Sequence, residues 1–268
     1  MRLVRTLAAV AAVAIAGLVG APAARAQAGT PVIAYKTVGG FTMYNVDLKL
    51  YSTGFAVASM VRHDGTTLIM TDYLTAAQVR SVAHALDSAG WATMATTVRT
   101  RNMIADAPNH VVTYKGKTVT YQTFGAGSSA PVAGASFVAV VGRLGGLFST
   151  IGDKPEFSLD VTGGIAGFNN HLVVKRNGDA SYDTNGGHKD GWFEVATMND
   201  LKRKAGRWST LRKDYPATAT VSDAMFYAVG VYDEHDKLKT VTWQTSSRPS
   251  ATATNLEQAL EAAAVAIP

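Results

Sequence analysis

The chain has 268 residues, of which 47% are apolar and 17% charged, and it contains no cysteine. The absence of cysteine excludes disulfides and a lipid-modified N-terminal cysteine, so the fold depends on ordinary core burial. The formal charge of +5 includes Arg2, Arg5 and Arg25, and without these three the count is +2. That charge is too small to predict a nucleic acid or an anionic membrane as partner, since such binding takes several clustered cations.

The first 26 residues have the pattern of a secretory signal peptide. Arg2 and Arg5 precede an apolar run from Leu7 to Leu18, and Ala24-Arg25-Ala26 supplies small residues for cleavage. The apolar run is shorter than the roughly 20 residues of a transmembrane helix. We therefore predict a secreted protein, cleaved near Ala26 and released without a membrane anchor.

The remaining chain contains an internal repeat. Thr118 to Thr123 reads TVTYQT, and Thr240 to Thr245 reads TVTWQT. Upstream, a constant offset of 124 pairs Gly39 with Gly163, Asn45 with Asn169, Leu48 with Leu172, Gly54 with Gly178 and Ala56 with Ala180. Self-similarity of this kind defines the folding unit. We predict two diverged copies, residues 32–148 and 156–268, joined by a linker near 145–154 and each closing its own apolar interior.

The first copy has the pattern of a sheet, a helix, a hairpin and a second helix. A helix is predicted after Thr75, a residue that can cap the free N–H groups of its first turn, and another after Pro131. Apolar and β-branched runs between turn signals predict the strands, at 32–37, 46–51, 55–62, 66–71, 111–114 and 118–123.

The second copy follows the same order. Thr197 with Asp200 resembles a capping box for one helix, and Thr254 with Glu257 is a complete box for the closing helix. Strands are predicted at 157–161, 172–175, 180–183, 226–232 and 239–244. The predicted fold class is α+β, a tandem duplication of an antiparallel sheet packed with helices.

No catalytic constellation is present in the sequence. None of the six histidines has the i, i+4 spacing of a helical zinc site, and there is no cysteine to complete one. Gly125 to Ser129 lacks the Gly-x-Ser-x-Gly spacing of a nucleophile elbow. We therefore predict a protein that is not an enzyme, has no catalytic residues and needs neither metal nor cofactor.

The second copy resembles the emfourin-like family. The resemblance depends on Val161 to Gly167 (VTGGIAG), the turn Asn177-Gly178, a helix around Leu201, and Asp223 to Tyr227 before a hairpin. That family is typified by small protein inhibitors of thermolysin-like zinc metalloproteases, so the resemblance implies a two-domain secreted inhibitor. The first copy keeps Gly39-Gly40-Phe41 and then departs with Thr42-Met43, while Asp106 stands for Asp223.

Two segments of the second copy are candidate partner-binding sites. One is the turn formed by Gly163, Gly164, Ile165, Ala166 and Gly167, because glycines allow close backbone approach. The other is the polar segment 183–191 with Asn185 and His188, predicted to be a loop longer than its counterpart in the first copy. Each segment also has a purely structural interpretation, as a strand-joining turn and as a surface insertion.

The predicted function is that of a monomeric protein-binding module that blocks an extracellular metalloprotease sterically. The alternative is a noncatalytic envelope or matrix module that binds a glycan or an assembly partner through exposed aromatics such as Tyr44, Trp192 or Trp243. Trp243 is predicted to be in the core, because it aligns with Tyr121 in an alternating strand.

Overall fold

The computed structural model describes residues 30–267 except 43, 63, 102–103, 105 and 124–128. The predicted signal peptide, residues 1–26, lies outside the described residues.

Repeat 1 is a seven-stranded sheet with two helices. Its elements are β1 (Ile33–Val38), β2 (Tyr44–Leu50), β3 (Phe55–Arg62), β4 (Thr67–Tyr73), α1 (Ala76–Ser88), β5 (Thr97–Arg99), β6 (Asn109–Tyr114), β7 (Lys117–Gln122) and α2 (Ala135–Gly152). The strands lie in the order β4-β3-β2-β1-β6-β7-β5.

Repeat 2 has equivalent strands and α-helices in the same arrangement, with one additional short 3-10 helix. They are β8 (Pro155–Gly163), β9 (Phe168–Lys175), β10 (Asp179–Thr184), β11 (Gly187–Trp192), α3 (Val195–Ala205), a short 3-10 helix (Trp208–Thr210), β12 (Asp214–Tyr215), β13 (Met225–Tyr232), β14 (Leu238–Gln244) and α4 (Ala251–Val265). The order β11-β10-β9-β8-β13-β14-β12 repeats that of the first sheet strand for strand. The predicted α+β duplication is confirmed.

Each sheet is mixed rather than wholly antiparallel. β5 runs parallel to β7, and β12 runs parallel to β14, while the other neighbouring pairs are antiparallel. In both repeats the parallel strand follows a helix that carries the chain from one edge of the sheet to the other, from β4 to β5 and from β11 to β12.

Strand register reproduces the sequence repeat. Tyr35 lies opposite Leu48 in repeat 1, and Leu159 lies opposite Leu172 in repeat 2, at the predicted offset of 124. The two TVT motifs also occupy equivalent positions, because His110 faces Tyr121 as Tyr227 faces Trp243.

The prediction of a long loop at residues 183–191 is wrong. These residues form β10 and β11, joined by a two-residue turn because Thr184 pairs directly with Gly187. Phe55 and Asp179 are equivalent positions, and they pair with Tyr73 in the β3–β4 hairpin and with Trp192 in the β10–β11 hairpin. The β10–β11 hairpin is therefore five residues shorter than its counterpart in repeat 1. The edge strand β11 is exposed and polar, a composition that resembles a loop in the sequence.

Three other predicted boundaries are wrong. α2 continues through most of the predicted linker, which leaves only Asp153 and Lys154 between the repeats. α3 begins after Glu194 rather than at Thr197. The N-cap of α4 is Ser250, whose hydroxyl accepts a hydrogen bond from the Ala253 N–H. The predicted N-cap Thr75 is confirmed, with a complete capping box to Gln78.

α2 is long and apolar enough to cross a membrane by length and composition alone. In this fold it is a core helix of repeat 1: it contacts α1, β2, β3 and β4, and it buries Phe137, Val140, Val141, Leu144, Phe148 and Ile151.

The two interiors are continuous, contrary to the prediction that each copy closes its own. Buried apolar residues of both repeats belong to one cluster. α2 and α3, from different repeats, both contact β4. Gly152 at the end of α2 lies close to both Met70 and Asn177, so the junction has almost no space for an added side chain.

The outer edge of β4 is covered by side chains of repeat 2. The carbonyl oxygens of Thr67, Ile69 and Thr71 accept hydrogen bonds from Asn199, Lys202 and Arg176 at 3.2, 2.8 and 2.9 Å. An open edge strand is a template for pairing with other chains. The second repeat therefore protects the first sheet from edge-to-edge association.

An ionic cluster built around the buried pair Arg176 and Asp72, here called the inter-repeat clamp, stabilises this contact. It consists of Asp72, Lys154, Glu156, Arg176 and Asp236. Arg176 and Asp72 are each only 1% exposed. The Arg176 guanidinium donates to the Asp233 carbonyl at 2.8 Å and to the Asp236 carboxylate at 2.9 Å.

Lys154 completes the clamp from the two-residue linker. Its ammonium donates to Asp72 at 2.6 Å and to Asp236 at 2.7 Å. Burial alone would lower the pKa of Lys154, but its hydrogen bonds to Asp236 and Asp72 raise it instead. Because buried charges must be paired, the clamp holds the two repeats in one arrangement.

The raised pKa of the Glu257 carboxyl leads us to expect that the free energy of unfolding depends on pH. This buried α4 residue lies beside Glu261, and burial followed by repulsion from Glu261 raises the pKa of Glu257 to about 8. Its carboxyl is protonated more readily in the folded state, so stability is retained at low pH and lost as the pH rises from about 5 to 8. Denaturant titrations should show a fall of about 2 kcal/mol or more across that range.

Glu257→Gln is expected to remove most of this slope and to be more stable than the unmodified chain at pH 9. Glu234→Gln, in the β13–β14 turn, is the control and should keep the slope. An unchanged slope in Glu257→Gln would show that another group causes it.

Candidate functional site

The turn between β8 and β9 is held rigidly by backbone contacts. Gly163, Gly164 and Gly167 have φ values of 101°, 74° and 61°, which other residues adopt only with strain. A Cβ on Gly163 would lie 2.5 Å from the Ala224 carbonyl oxygen. The Gly164 N–H donates to that carbonyl oxygen at 3.1 Å, and the Gly167 N–H donates to the Gly164 oxygen at 3.0 Å.

The two predicted segments meet at the same end of the second sheet. The Asn185 side-chain amide donates to the Gly167 carbonyl oxygen at 2.8 Å. The β10–β11 turn therefore braces the glycine turn from the side opposite Ala224. The structure brings Asn185 into this site, although the length of segment 183–191 was predicted incorrectly.

An apolar side chain lies at the apex of this turn. Ile165 is 89% exposed, and Phe168, Val221 and Phe226 are also exposed. The rings of Phe226 and Phe168 lie beside the turn, because a Cβ added to Gly163 would be 3.2 Å from Phe226 and a Cβ added to Gly164 would be 3.4 Å from Phe168. We call Ile165, Phe168, Val221 and Phe226 the tip patch. Exposed apolar groups gathered on one surface are typical of a binding site.

A groove of about 610 Å³ borders the tip patch. It is lined by Gly164, Ile165, residues 217–222, Ala224, Phe226 and Gln244. Segment 217–222 was not identified from the sequence, because its small polar residues have no motif. The bridge between Ala217 and Ser247, and the hydrogen bond from the Ser246 hydroxyl to the Ala219 carbonyl oxygen, place this segment beside the turn.

His188 lies near the turn but is occupied by carboxylates. Its Nδ1 is 2.6 Å from Asp183 and its Nε2 is 3.1 Å from Asp190. Hydrogen bonds to Asp183 and then Asp190 raise the pKa of His188. His171 lies opposite both Asp160 and Asp183 on the neighbouring strands, so acids and imidazoles alternate across this sheet face. We assign the tip to apolar contact rather than to His188.

The described part of the chain contains no group of three or more His, Asp or Glu residues arranged to hold a metal ion. The predicted lack of a catalytic set, metal and cofactor stays a prediction.

The aromatics of the alternative prediction are not open platforms. Trp243 is buried and stacks on Tyr227, which confirms its predicted place in the core. Trp192 is covered by the Arg62 guanidinium at 4.8 Å and donates from its ring nitrogen to the Asn177 carbonyl oxygen. Tyr44 is half-buried.

Comparison with protein-family models and with curated proteins found no match to this chain.

Proposed function

We propose that the protein is a secreted, noncatalytic and monomeric binding module whose tip patch docks into the cleft of an extracellular metalloprotease and blocks it sterically. The observation that carries the proposal is the exposed Ile165 side chain at the apex of a turn fixed by Ala224 and Asn185. The choice of protease as partner follows from the resemblance of residues 161–167 and 223–227 to the emfourin-like family.

The rigidity of the turn supports binding. A loop that is already ordered loses little conformational entropy when it enters a cleft, and this loss otherwise opposes association. Three glycines with positive φ and the hydrogen bond from Asn185 hold the turn before any partner arrives. An apolar apex that fills a partner pocket then contributes as a central anchor residue does.

The position of the turn also supports binding. Repeat 2 contacts repeat 1 through the turn after β9, which contains Arg176, and the turn between β13 and β14, which contains Asp236. These turns lie at one end of the second sheet, and the tip patch lies at the other end. The described residues of repeat 1 therefore leave the tip patch uncovered. The groove beside Ile165 offers space for a side chain of the partner.

The proposal predicts inhibition of thermolysin by the chain lacking residues 1–26. Hydrolysis of casein is measured with and without the chain, and we expect loss of activity at micromolar concentration. Val265→Asp, which alters an exposed apolar residue on α4 far along the chain from the tip patch, should inhibit equally. Absence of inhibition at that concentration would reject the metalloprotease proposal.

Binding of a glycan through the aromatic rings of the alternative set is not favoured, because Trp243 is buried, Trp192 is covered by Arg62 and Tyr44 is half-buried. A glycan screen that captured the chain while thermolysin stayed active would reverse this preference.

A further inference from the structure

Repeat 1 carries a turn equivalent to that of the tip patch. Gly39 and Gly40, the counterparts of Gly163 and Gly164, also have positive φ values, of 74° and 80°. The Phe41 N–H donates to the Asp106 carbonyl oxygen at 3.0 Å. A Cβ on Gly40 would lie 2.7 Å from the Pro108 nitrogen, so this turn too is held tightly against the chain that leads into β6.

The apex of this turn is again apolar and exposed. Phe41 occupies the position of Ile165 and is 91% exposed, and Val38 and Ile104 are exposed as well. Thr37 pairs with His110 in repeat 1 as Val161 pairs with Tyr227 in repeat 2, so His110 and Tyr227 occupy equivalent positions. Asp106 and Asp223 each lie four residues before these positions and are therefore equivalent, as predicted. The exposed apolar apex is thus present in both copies although the residues around it differ.

Structural needs do not explain an exposed apolar apex. Glycines are favoured at both turns by their positive φ and, at Gly40, Gly163 and Gly164, by close contacts, whereas the apex side chains are about nine-tenths exposed. Large apolar side chains exposed at about nine-tenths of their area lose stabilising burial in the isolated protein. Their occurrence at the same apex in both repeats points to the same use.

Both apexes are free at the same time. Repeat 2 contacts repeat 1 along the outer edge of β4, whereas Phe41 follows β1, three positions inward in the sheet order. Ile165 lies at the end of its sheet remote from the inter-repeat clamp. Phe41 and Ile165 are therefore both exposed, and within the part of the chain that the structure describes neither is covered by the other repeat.

We propose that one chain binds two molecules of the same kind of partner, one through Ile165 and one through Phe41. The partner is a protein whose cleft contains an apolar pocket able to accept either side chain. The inference rests on the proposed function, from which it takes thermolysin as the probe. Linkage of the two sites through the clamp makes the chain a fixed bridge between two protease molecules.

The test is the stoichiometry of the complex with catalytically inactivated thermolysin, measured by light scattering after size exclusion and by calorimetric titration. We expect two protease molecules per chain. Phe41→Asp and Ile165→Asp should each reduce this to one, and the double variant should bind none. Val265→Asp should keep two and serves as the control for adding an exposed carboxylate.

The outcomes separate this inference from the proposed function. One protease per chain, lost in Ile165→Asp and unaffected by Phe41→Asp, would overturn the second site while leaving the inhibitor proposal in place. No complex with the unmodified chain would overturn both. Circular dichroism of each variant, expected to match the unmodified chain because both residues are exposed, shows whether a lost site reflects lost folding.

Discussion

Arg176→Ala is expected to lower the free energy of unfolding by about 3–5 kcal/mol. The guanidinium is almost wholly buried and is the only group within the clamp that contacts Asp72, Glu156 and Asp236 together among the described residues. Its removal leaves Asp72 buried with Lys154 as the remaining cation. It also removes the Arg176 donor to the Thr71 carbonyl oxygen and one of two donors to the Asp233 carbonyl oxygen, which still accepts from the Asp236 N–H.

The control for this substitution is Arg203→Ala. Arg203 belongs to the same repeat and pairs with Asp200, but its side chain is largely exposed. Exposed ion pairs typically contribute less than about 1 kcal/mol. Denaturant unfolding of both variants therefore measures the effect of burial, and similar losses from the two substitutions would show that the clamp does not stabilise the junction.

Arg176→Ala should also increase association between chains. The substitution removes the donor to Thr71 and loosens repeat 2 from the edge of β4. A more open edge strand promotes edge-to-edge pairing. Light scattering of the folded variant should show larger species than the Arg203→Ala control.

Much of the fold could be predicted because the repeat provides an internal check on each element. Strands such as β3 and β13 have apolar runs between turn residues, and Thr75 with Gln78 has the spacing of a real capping box. β11 was missed because a polar edge strand has no apolar face to reveal it. Its pairing with β10 depends on cross-strand hydrogen bonds, which local patterns do not record.

Other errors arose where long-range packing decided the outcome. Thr254 and Glu257 match a capping box, yet Ser250 caps the helix and Glu257 turns inward beside Glu261. The glycines at 145–146 suggested a linker, but α2 continues because its apolar face packs in the core. The clamp could not be predicted, since its charges come from two strands, the linker and two turns that only the fold brings together.

The candidate site was predicted in part. The glycine spacing of 163–167 identified the turn, because three positive φ values need glycine. The exposure of Ile165 and its closeness to Phe168, Phe226 and segment 217–222 depend on how three loops meet at one end of the sheet. His188 was predicted as part of the polar segment 183–191, but its pairing with Asp183 and Asp190 depends on the β10–β11 hairpin, which the sequence pattern did not indicate.

In a chain whose repeat 1 site is removed by Phe41→Asp, Ile165→Asp is expected to weaken inhibition of thermolysin by about tenfold or more, because a buried apolar anchor commonly contributes 2 kcal/mol or more to binding. The charge would have to enter an apolar pocket without a partner, which is unfavourable. Stability should change by no more than about 0.5 kcal/mol, because the side chain is exposed and makes no core contact.

The inhibition constants of Phe41→Asp alone, with Ile165→Asp and with Val265→Asp for thermolysin, measured side by side on a short peptide substrate, test the docking role of the turn directly. We expect strong inhibition by Phe41→Asp and by Phe41→Asp with Val265→Asp, and inhibition weaker by about tenfold or more for Phe41→Asp with Ile165→Asp. Equal inhibition by all three chains, or by none, would contradict the assignment of this turn as the docking site for a metalloprotease.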